Sequence, residues 1–211
     1  MKPRGLQPHA WLLTRVLRQF LRKLVSWKLF HVRVIGKDHI PPHGAAIIAC
    51  NHLSFADPVV AWGAVPRNLV AVAMKELWRT PLVFLLWLLG HIPVDRKSRD
   101  SGARVRRAMK RVIDWGGLVL IFPEGKCSRD GTLQAFKSGA ADVAFETGTP
   151  LIPAAVVGTE RLWPLGTHAI DRRQEVVIVF GAPLYPEEFA SAEDLNYALR
   201  ATVVVLQAVA S

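Results

Sequence analysis

Short apolar runs rich in β-branched residues alternate with helical stretches from residue 32 to the C-terminus. The predicted strands are Val32–Ile35, Ala46–Ala49, Leu69–Ala73, Leu118–Phe122, Leu151–Val157 and Val176–Phe180. The predicted helices are Pro58–Gly63, Pro81–Leu88, Gly102–Trp115, Ser138–Glu146 and Ala192–Val209. Alternating β and α units predict an α/β fold, with a mostly parallel central sheet flanked by helices.

Residues 1–30 have a different pattern, the apolar stripe of a single amphipathic helix. Apolar residues recur at one- and three-residue steps from Leu12 to Val25. The basic and aromatic residues around this stripe are Trp11, Arg15, Arg18, Arg22 and Trp27. A basic amphipathic helix with Trp anchors predicts a segment that lies in a membrane interface, because its cations make a spanning helix too costly. The alternative is a helix that packs on its own domain with a solvated basic face.

Composition and charge narrow the class of protein. Of the 211 residues, 51% are hydrophobic and 21% are charged, which excludes a mainly disordered, collagenous or low-complexity chain. The net charge is +10, and residues 1–37 hold nine of the 27 Lys and Arg residues but no Asp or Glu. A basic arm predicts an acidic partner. An anionic membrane surface is favoured over nucleic acid, because the arm has an apolar stripe and not aromatic residues interleaved with cations.

Common site motifs are missing from the sequence. It has no Walker loop, no GxSxG elbow, no HExxH pair and no GxGxxG, so a serine hydrolase, a zinc site and a dinucleotide site are unsupported. Cys50 and Cys127 are too few for a disulfide scaffold and lack CxxC spacing. A reduced cytosolic compartment is therefore the default.

The first candidate site follows the second predicted strand. Residues 51–58 read NHLSFADP, so His52 precedes Asp57 by five residues. Pro58 is predicted to be the first residue of a helix and Asp57 its N-cap, which leaves His52 in a loop that can fold back onto Asp57. A carboxylate on one imidazole nitrogen makes the other a general base for a hydroxyl or thiol. Alternatively, Asp57 only caps the helix and His52 is a polar turn residue.

The second candidate site follows the fourth predicted strand. Residues 122–131 read FPEGKCSRDG and leave the carboxyl end of that strand, where α/β sheets form ligand crevices. Lys126 and Arg129 are placed to hold a phosphate, with backbone amides near Gly125 assisting. The alternative is an ordinary turn beside a solvated charge cluster.

Together the two sites resemble the motifs of the glycerolipid acyltransferase family, whose best-known members are the 1-acylglycerol-3-phosphate acyltransferases. Four blocks carry the resemblance in order: NHLSFAD at 51–57, GHIPVDR at 90–96, FPEGKCS at 122–128 and LIPAAV at 151–156. The resemblance covers most of the chain, roughly Val32 to Tyr185. It implies a glycerolipid acyltransferase-like domain over residues 31–211, preceded by the membrane-associating helix at 1–30.

The resemblance also implies the reaction. His52 would take a proton from the hydroxyl of a lipid acceptor, with Asp57 as its orienting carboxylate. That hydroxyl would attack the thioester of acyl-CoA or acyl-carrier protein, so neither an acyl-enzyme nor a cofactor or metal is expected. The catalytic residues implied are His52 and Asp57. The substrate-binding residues implied are Lys75, Arg96, Glu124, Gly125, Lys126, Ser128 and Arg129.

One position departs from the family pattern. Relatives usually have Thr and Arg after the Glu-Gly pair of the third block, and that Arg is taken to grip the acceptor phosphate. Here those positions are Lys126 and Cys127, and a thiol does not replace a bidentate guanidinium. Either Lys126 or Arg129 substitutes, or the acceptor is not lysophosphatidate.

The expected function is therefore acylation of 1-acylglycerol-3-phosphate to phosphatidic acid, a step of phospholipid biosynthesis. The expected place is the cytoplasmic face of the cell membrane, with the protein peripheral or monotopic. One alternative is the same chemistry on another lysolipid or lipid acceptor. The other is a non-catalytic lipid-binding protein at the membrane surface. The expected partners are an acyl donor, a lysophospholipid and an anionic membrane surface, with no nucleic acid.

Overall fold

The apolar runs of the sequence form a seven-stranded sheet with helices on both faces. The computed structural model describes residues 31–76, 86, 90–95, 98, 100–128, 131–167 and 169–211, and residues 16, 19, 20, 22 and 23 of the N-terminal stretch. The strands are β1 (His31–Ile35), β2 (Ala46–Cys50), β3 (Leu69–Met74), β4 (Ile92–Val94), β5 (Leu118–Ile121), β6 (Leu151–Val157) and β7 (Glu175–Phe180). The α-helices are α1 (Asp57–Ala64), α2 (Ser101–Asp114), α3 (Gly139–Thr147), α4 (Thr159–Leu162) and α5 (Ala192–Ala210). Short 3-10 turns occupy Lys37–His39 and Pro186–Glu188.

The sheet is mostly parallel, as the alternating pattern predicts. Its strand order is β1-β7-β6-β2-β5-β3-β4. Neighbouring strands are parallel except β6 and β7, which are antiparallel. The central strands β2 and β5 therefore end at the same edge, so the segments that follow them are brought side by side.

Helices bury both faces of the sheet. Ile48 of β2 lies in a buried cluster with α1, whereas its neighbour Ile47 lies in a second cluster with α2, α3 and α5. All five residues of β2 are buried, as expected for a strand covered on both sides. This burial fixes the carboxyl end of β2, from which the first candidate site departs.

The predicted strands are confirmed to within one or two residues, and two short elements were missed. β4 has only three residues and contains Pro93, so the sequence shows no strand pattern there. Its position at the edge of the sheet accounts for the proline, because an edge strand does not need every N–H for pairing. α4 is a single turn. The predicted helix Pro81–Leu88 lies outside the described residues except for Leu86.

The predicted N-terminal helix also lies largely outside the described residues. The five that are described are helical. Val16 and Phe20, both from the apolar stripe, are 57% and 61% exposed. The Arg22 guanidinium instead donates to the carbonyl oxygens of Val65 and Pro66, at 3.3 and 2.5 Å. Within the part of the chain that is described, no helix is both long enough and apolar enough to cross a bilayer.

Candidate active site

Asn51 starts the first site loop and anchors it to β6. Its side-chain amide donates to the carbonyl oxygen of Val156 at 2.9 Å, and its Oδ1 accepts the Val156 N–H at 2.7 Å. The backbone pairing of β2 with β6 ends one residue earlier, at Cys50 and Ala154. The Asn51 side chain thus satisfies the next groups of β6 while its own backbone turns away from the sheet.

His52 is held by Asp57, as the spacing of the two residues suggests. The Nδ1 atom of His52 lies 2.7 Å from Asp57 Oδ2, and the two residues are only 5% and 1% exposed. Asp57 Oδ2 also accepts the backbone N–H groups of Leu53 and Ser54, at 2.7 and 2.9 Å. A carboxylate so placed requires Nδ1 to carry the proton, which leaves Nε2 of the neutral ring as a proton acceptor.

Asp57 is not the N-cap that the sequence predicts. The helix already includes Asp57, its N-cap is Ala56, and no side chain caps it. The carboxylate is turned back into the preceding loop, where it holds two amides and the imidazole, so it does not reach the amides of the first helical turn. The single acidic side chain therefore organises the loop and not the helix.

The second site loop, residues 122–128, forms hydrogen bonds with both backbone groups of His52. Glu124 Oε1 accepts the His52 N–H at 2.6 Å, and the Ser128 N–H donates to the His52 carbonyl oxygen at 2.7 Å. The imidazole stacks on the Phe122 ring, with centroids 4.2 Å apart and planes inclined by 20°. The two sequence blocks therefore form one unit around the histidine.

Glu124 is a buried structural carboxylate. Its second oxygen, Oε2, accepts the Gln134 N–H at 3.0 Å. Burial raises the pKa of the Glu124 carboxyl, and its hydrogen bonds to Gln134 and His52 oppose that shift only in part. Both oxygens are occupied by backbone donors, so Glu124 shapes the site through the loops.

The next residues carry the cations of the site. Gly125 has a φ of 74°, in the region that favours glycine, and its N–H closes a turn onto the Phe122 carbonyl oxygen. A Cβ at Gly125 would lie 2.7 Å from Lys137 Nζ, so the glycine leaves room for that ammonium group. Lys126 is exposed beside it. Two cationic side chains thus border the turn.

The Cys127 thiol contacts the imidazole of His52, and the sequence did not predict this contact. Its Sγ atom is 3.1 Å from His52 Nε2, on the ring edge opposite Asp57. The motifs marked Cys127 as a departure from the family pattern. They did not predict its contact with His52, because the two residues are 75 positions apart in the sequence. Asn51, Phe122 and Lys137 were likewise not predicted as site residues, because their contacts depend on how the loops meet.

The structure separates the remaining predicted residues. His52, Asp57, Glu124, Gly125 and Ser128 come together, and Lys126 lies beside them. Lys75 instead pairs with Asp95, Nζ to Oδ2 at 2.5 Å, and lines a cavity of about 310 Å³ with Ser101 and Arg104. Arg96 and Arg129 lie outside the described residues. Among the described residues, no three His, Cys, Asp or Glu side chains form a group that could hold a metal ion.

The sequence of this chain is similar to those of known acyltransferases. A sequence model of the acyltransferase family matches residues 31–157, more than half of the chain. A 1-acyl-sn-glycerol-3-phosphate acyltransferase from Chlamydomonas reinhardtii is 30% identical over 82% of this chain and 52% of its own. One from Borreliella burgdorferi is 32% identical over 72% of this chain and 61% of its own. The chain thus spans roughly half to three-fifths of the length of these relatives.

A solved structure has the same fold. The 1-acyl-sn-glycerophosphate (LPA) acyltransferase PlsC from Thermotoga maritima superposes with a TM-score of 0.74 and 25% identity. The match covers 96% of this chain and 80% of that one. The family-wide sequence match and the shared architecture establish that this chain belongs to the acyltransferase family.

Proposed function

We propose that the protein transfers a fatty acyl group from a thioester donor to the hydroxyl of 1-acylglycerol-3-phosphate, giving phosphatidic acid. The observation that carries the proposal is the buried His52–Asp57 contact, which leaves Nε2 as the proton acceptor of the site. The names of these relatives and of the protein in the solved structure support this acceptor. The donor is either acyl-CoA or acyl-carrier protein.

His52 supplies the base for this reaction. The neutral ring takes the proton of the attacking group at Nε2, and the Asp57 carboxylate stabilises the imidazolium that forms. The same proton is then delivered to the departing donor thiol, which restores the neutral ring. Stacking on Phe122 and the bond to Asp57 hold the ring in one orientation, so no energy is spent on orienting it during the reaction.

The acceptor phosphate would bind at the cations beside Gly125. Lys126 is exposed and the Lys137 ammonium group lies over the glycine, so both are open to a phosphate at the mouth of the site. Lys75 is a weaker candidate because Asp95 already neutralises it. Arg96 and Arg129 stay predicted phosphate ligands.

The reaction would take place at a membrane surface, on its cytoplasmic face. Both described apolar residues of the N-terminal stripe, Val16 and Phe20, face solvent, while Arg22 is bound by the domain. This arrangement supports insertion of the stripe into lipid over packing of the stripe on the protein. Basic residues of the same stretch would add attraction to anionic lipid.

An acceptor panel tests the function. Purified protein is incubated with radiolabelled acyl-CoA or acyl-carrier protein and with 1-acylglycerol-3-phosphate, 1-acylglycerol or lysophosphatidylethanolamine. Labelled phosphatidic acid is expected from the first acceptor, and His52→Ala should abolish it. No labelled product from any pairing would refute the proposal and favour a lipid-binding protein without activity.

A second acceptor class has one observation in its favour. Cys127 stands where relatives usually carry the arginine that grips phosphate. A faster reaction with 1-acylglycerol or lysophosphatidylethanolamine than with 1-acylglycerol-3-phosphate would establish the same chemistry on that other acceptor.

A further inference from the structure

Helix α2 is strongly basic, although the domain around it is not. Of its 14 residues, five are cations and one is acidic: Arg104, Arg106, Arg107, Lys110, Arg111 and Asp114. Residues 38–211 as a whole have 18 Lys and Arg residues against 17 Asp and Glu residues. The positive charge is therefore concentrated on one helix of a nearly neutral domain.

Three of these cations form a row along the exposed face of α2. Arg104, Arg107 and Arg111 are exposed and follow one another at steps of three and four residues, which places them on one face. The opposite face holds residues that are buried against the sheet, Val105, Met109 and Val112. Arg104 donates to the Ser98 hydroxyl and Arg107 to the Ala103 carbonyl oxygen. Among the side chains that the structure describes, none forms an ion pair with this arginine row.

The arginine row is unfavourable for the helix that carries it. Like charges repel at the spacings that separate Arg104 from Arg107 and Arg107 from Arg111. Arg104 also lies in the first turn, where the helix dipole disfavours a cation and no residue is acidic. Lys110, by contrast, pairs with Glu146 of α3. Charges that oppose local stability and lack compensation indicate a functional surface.

The arginine row begins at the edge of the sheet that carries His52. Strands β2, β5, β3 and β4 are parallel, so α2, which follows β4, starts beyond the same strand ends as the two site loops. β4 is three strands from β2, or about 14 Å at about 4.8 Å per strand. A cavity of about 310 Å³, lined by Ser101 and Arg104 among others, lies at this end of the row. A partner on the row can therefore reach His52 if it carries its reactive group on a long arm.

The arginine row and the N-terminal stretch belong to opposite layers of the fold. α2 packs with α3 and α5 in one buried cluster. Arg22 instead bonds the carbonyl oxygens of Val65 and Pro66, directly after α1, which packs in the other cluster. In the proposed membrane position, lipid meets the protein on the side of α1. The row then stays open to a soluble partner.

We infer that the arginine row is the docking surface for an acyl-carrier protein. The inference rests on the proposed function, and it assigns the donor that the proposed function leaves open. An acyl-carrier protein is a small acidic protein that holds its acyl thioester on a flexible phosphopantetheine arm. Its acidic surface would neutralise the row, and its arm would carry the thioester along the edge of the sheet to His52.

The length of the arginine row favours a protein over acyl-CoA. α2 runs away from the catalytic edge, so Arg107 and Arg111 lie farther from it than Arg104, by about 5 and about 10 Å at about 1.5 Å per residue. A donor that uses all three arginines must extend along two helical turns while its thioester lies at His52. A carrier protein with an arm meets both requirements.

Arg107→Glu tests the docking surface without harming the fold. It reverses the charge at the centre of the row and places a glutamate three residues after Arg104 and four residues before Arg111, where opposite charges attract. The melting temperature should therefore hold or rise, whereas a structural role of Arg107 would lower it. With palmitoyl-acyl-carrier protein as donor, kcat/KM should fall about tenfold. With palmitoyl-CoA, it should stay at the wild-type value.

Arg172→Glu is the matched control. Arg172 is an exposed cation in the turn before β7, toward the opposite end of the sheet from β4. The substitution changes the net charge by the same amount as Arg107→Glu. Activity with both donors should match the wild type.

Binding of the carrier is measured directly, without acceptor. Fluorescence anisotropy of labelled palmitoyl-acyl-carrier protein should give an affinity about tenfold lower for Arg107→Glu and an unchanged affinity for Arg172→Glu. Wild-type binding should weaken as ionic strength rises from about 0.01 to about 0.15 M, because the Debye length falls from about 30 to about 8 Å.

The possible failures are distinguishable. Turnover with palmitoyl-CoA alone, or an equal loss with both donors in Arg107→Glu, would overturn the docking surface and leave the proposed function intact. Weaker binding of Arg107→Glu to phosphatidylglycerol vesicles, with unchanged carrier binding, would overturn it in favour of a helix that faces lipid. An absence of acylated lipid with every donor and acceptor would refute the proposed function. The anisotropy measurement would then still decide whether the row binds the carrier.

Discussion

The two sides of the site are built differently. On the side of the base, His52 and Asp57 are buried, and Asp57 Oδ2 is held by the imidazole and two backbone amides, whereas Asp57 Oδ1 is buried without a hydrogen-bond partner among the described residues. On the cationic side, Lys126 and Lys137 are exposed, and the Lys137 ammonium group lies close to Gly125, the residue before Lys126. In the proposed reaction, proton transfer would therefore depend on fixed geometry, whereas recognition of the acceptor would depend on exposed charge that can adjust to a lipid headgroup.

Asp57→Asn should have the largest effect. Oδ2 alone accepts the imidazole and two amides, so an asparagine oxygen in its place can keep these contacts, but the negative charge that would stabilise the imidazolium is lost. We expect kcat to fall by about 10²–10⁴-fold with little change in KM. Steady-state kinetics on the acyl transfer measures it.

Asp38→Asn is the control for this change. Asp38 is exposed and follows β1, which runs antiparallel to β2. It therefore lies at the opposite end of the strands from His52. Its kcat should match the wild type. Equal activity of Asp57→Asn and Asp38→Asn would break the comparison, because the fixed side would then not govern proton transfer.

Glu124→Gln should be next, and its effect is on stability. Glutamine has one acceptor oxygen for the two amides, of His52 and Gln134, that the carboxylate now accepts. Leaving one buried amide facing an NH2 group should cost about 1–3 kcal/mol of unfolding free energy. Urea denaturation followed by circular dichroism measures this loss.

The same variant has a pH signature. Because the folded-state pKa of Glu124 is raised above its ordinary value of 4.5, the folded protein binds the proton more tightly than the unfolded chain does. This contribution to stability is fully present below 4.5 and is lost as pH rises through the folded-state pKa. The difference in unfolding free energy between wild type and Glu124→Gln should therefore shrink as pH rises, and a widening difference would contradict the assignment.

Lys126→Ala tests the open side. Loss of an exposed cation that would contact the acceptor phosphate in the proposed reaction should raise the KM for 1-acylglycerol-3-phosphate about tenfold, or about 1.4 kcal/mol, and leave kcat nearly unchanged. Lys37→Ala, an exposed cation at the far edge of the sheet, serves as control. A fall in kcat with constant KM would assign Lys126 to the fixed side instead.

Phe20→Ser should give the smallest effect. Phe20 is 61% exposed, and burial of its ring in lipid would contribute on the order of 1.5–3 kcal/mol if complete and less at an interface. Affinity for vesicles of phosphatidylglycerol and phosphatidylcholine should fall several-fold in a sedimentation assay. Tyr197→Ser removes an aromatic ring that is 79% exposed on α5 and should leave binding unchanged.

Much of the fold was accessible from the sequence because buried strands form short runs of β-branched apolar residues and amphipathic helices have a period. β2 and α5 were predicted nearly to the residue. β4 was not, since three residues around Pro93 carry no period, and its pairing with β3 is a property of the sheet.

The site divides in the same way. The proximity of His52 and Asp57 could be inferred because five residues in a loop bring them within reach of one another. The prediction that Asp57 is an N-cap was wrong, because sequence spacing does not determine which backbone amides donate to a carboxylate. The contact of Cys127 with Nε2 depends on two strand ends meeting at one edge, so it follows only from the arrangement of β2 and β5.

The contacts of Asn51 limit which residues fit at the start of the first site loop. Its planar amide presents one donor and one acceptor to Val156, in the manner of a peptide group, and so substitutes for a strand residue that has already left the sheet. Aspartate would set a second oxygen against the Val156 carbonyl, and leucine would leave both groups of Val156 unpaired in the protein interior. The turn of the chain away from β2, and with it the position of His52, therefore depends on a single carboxamide.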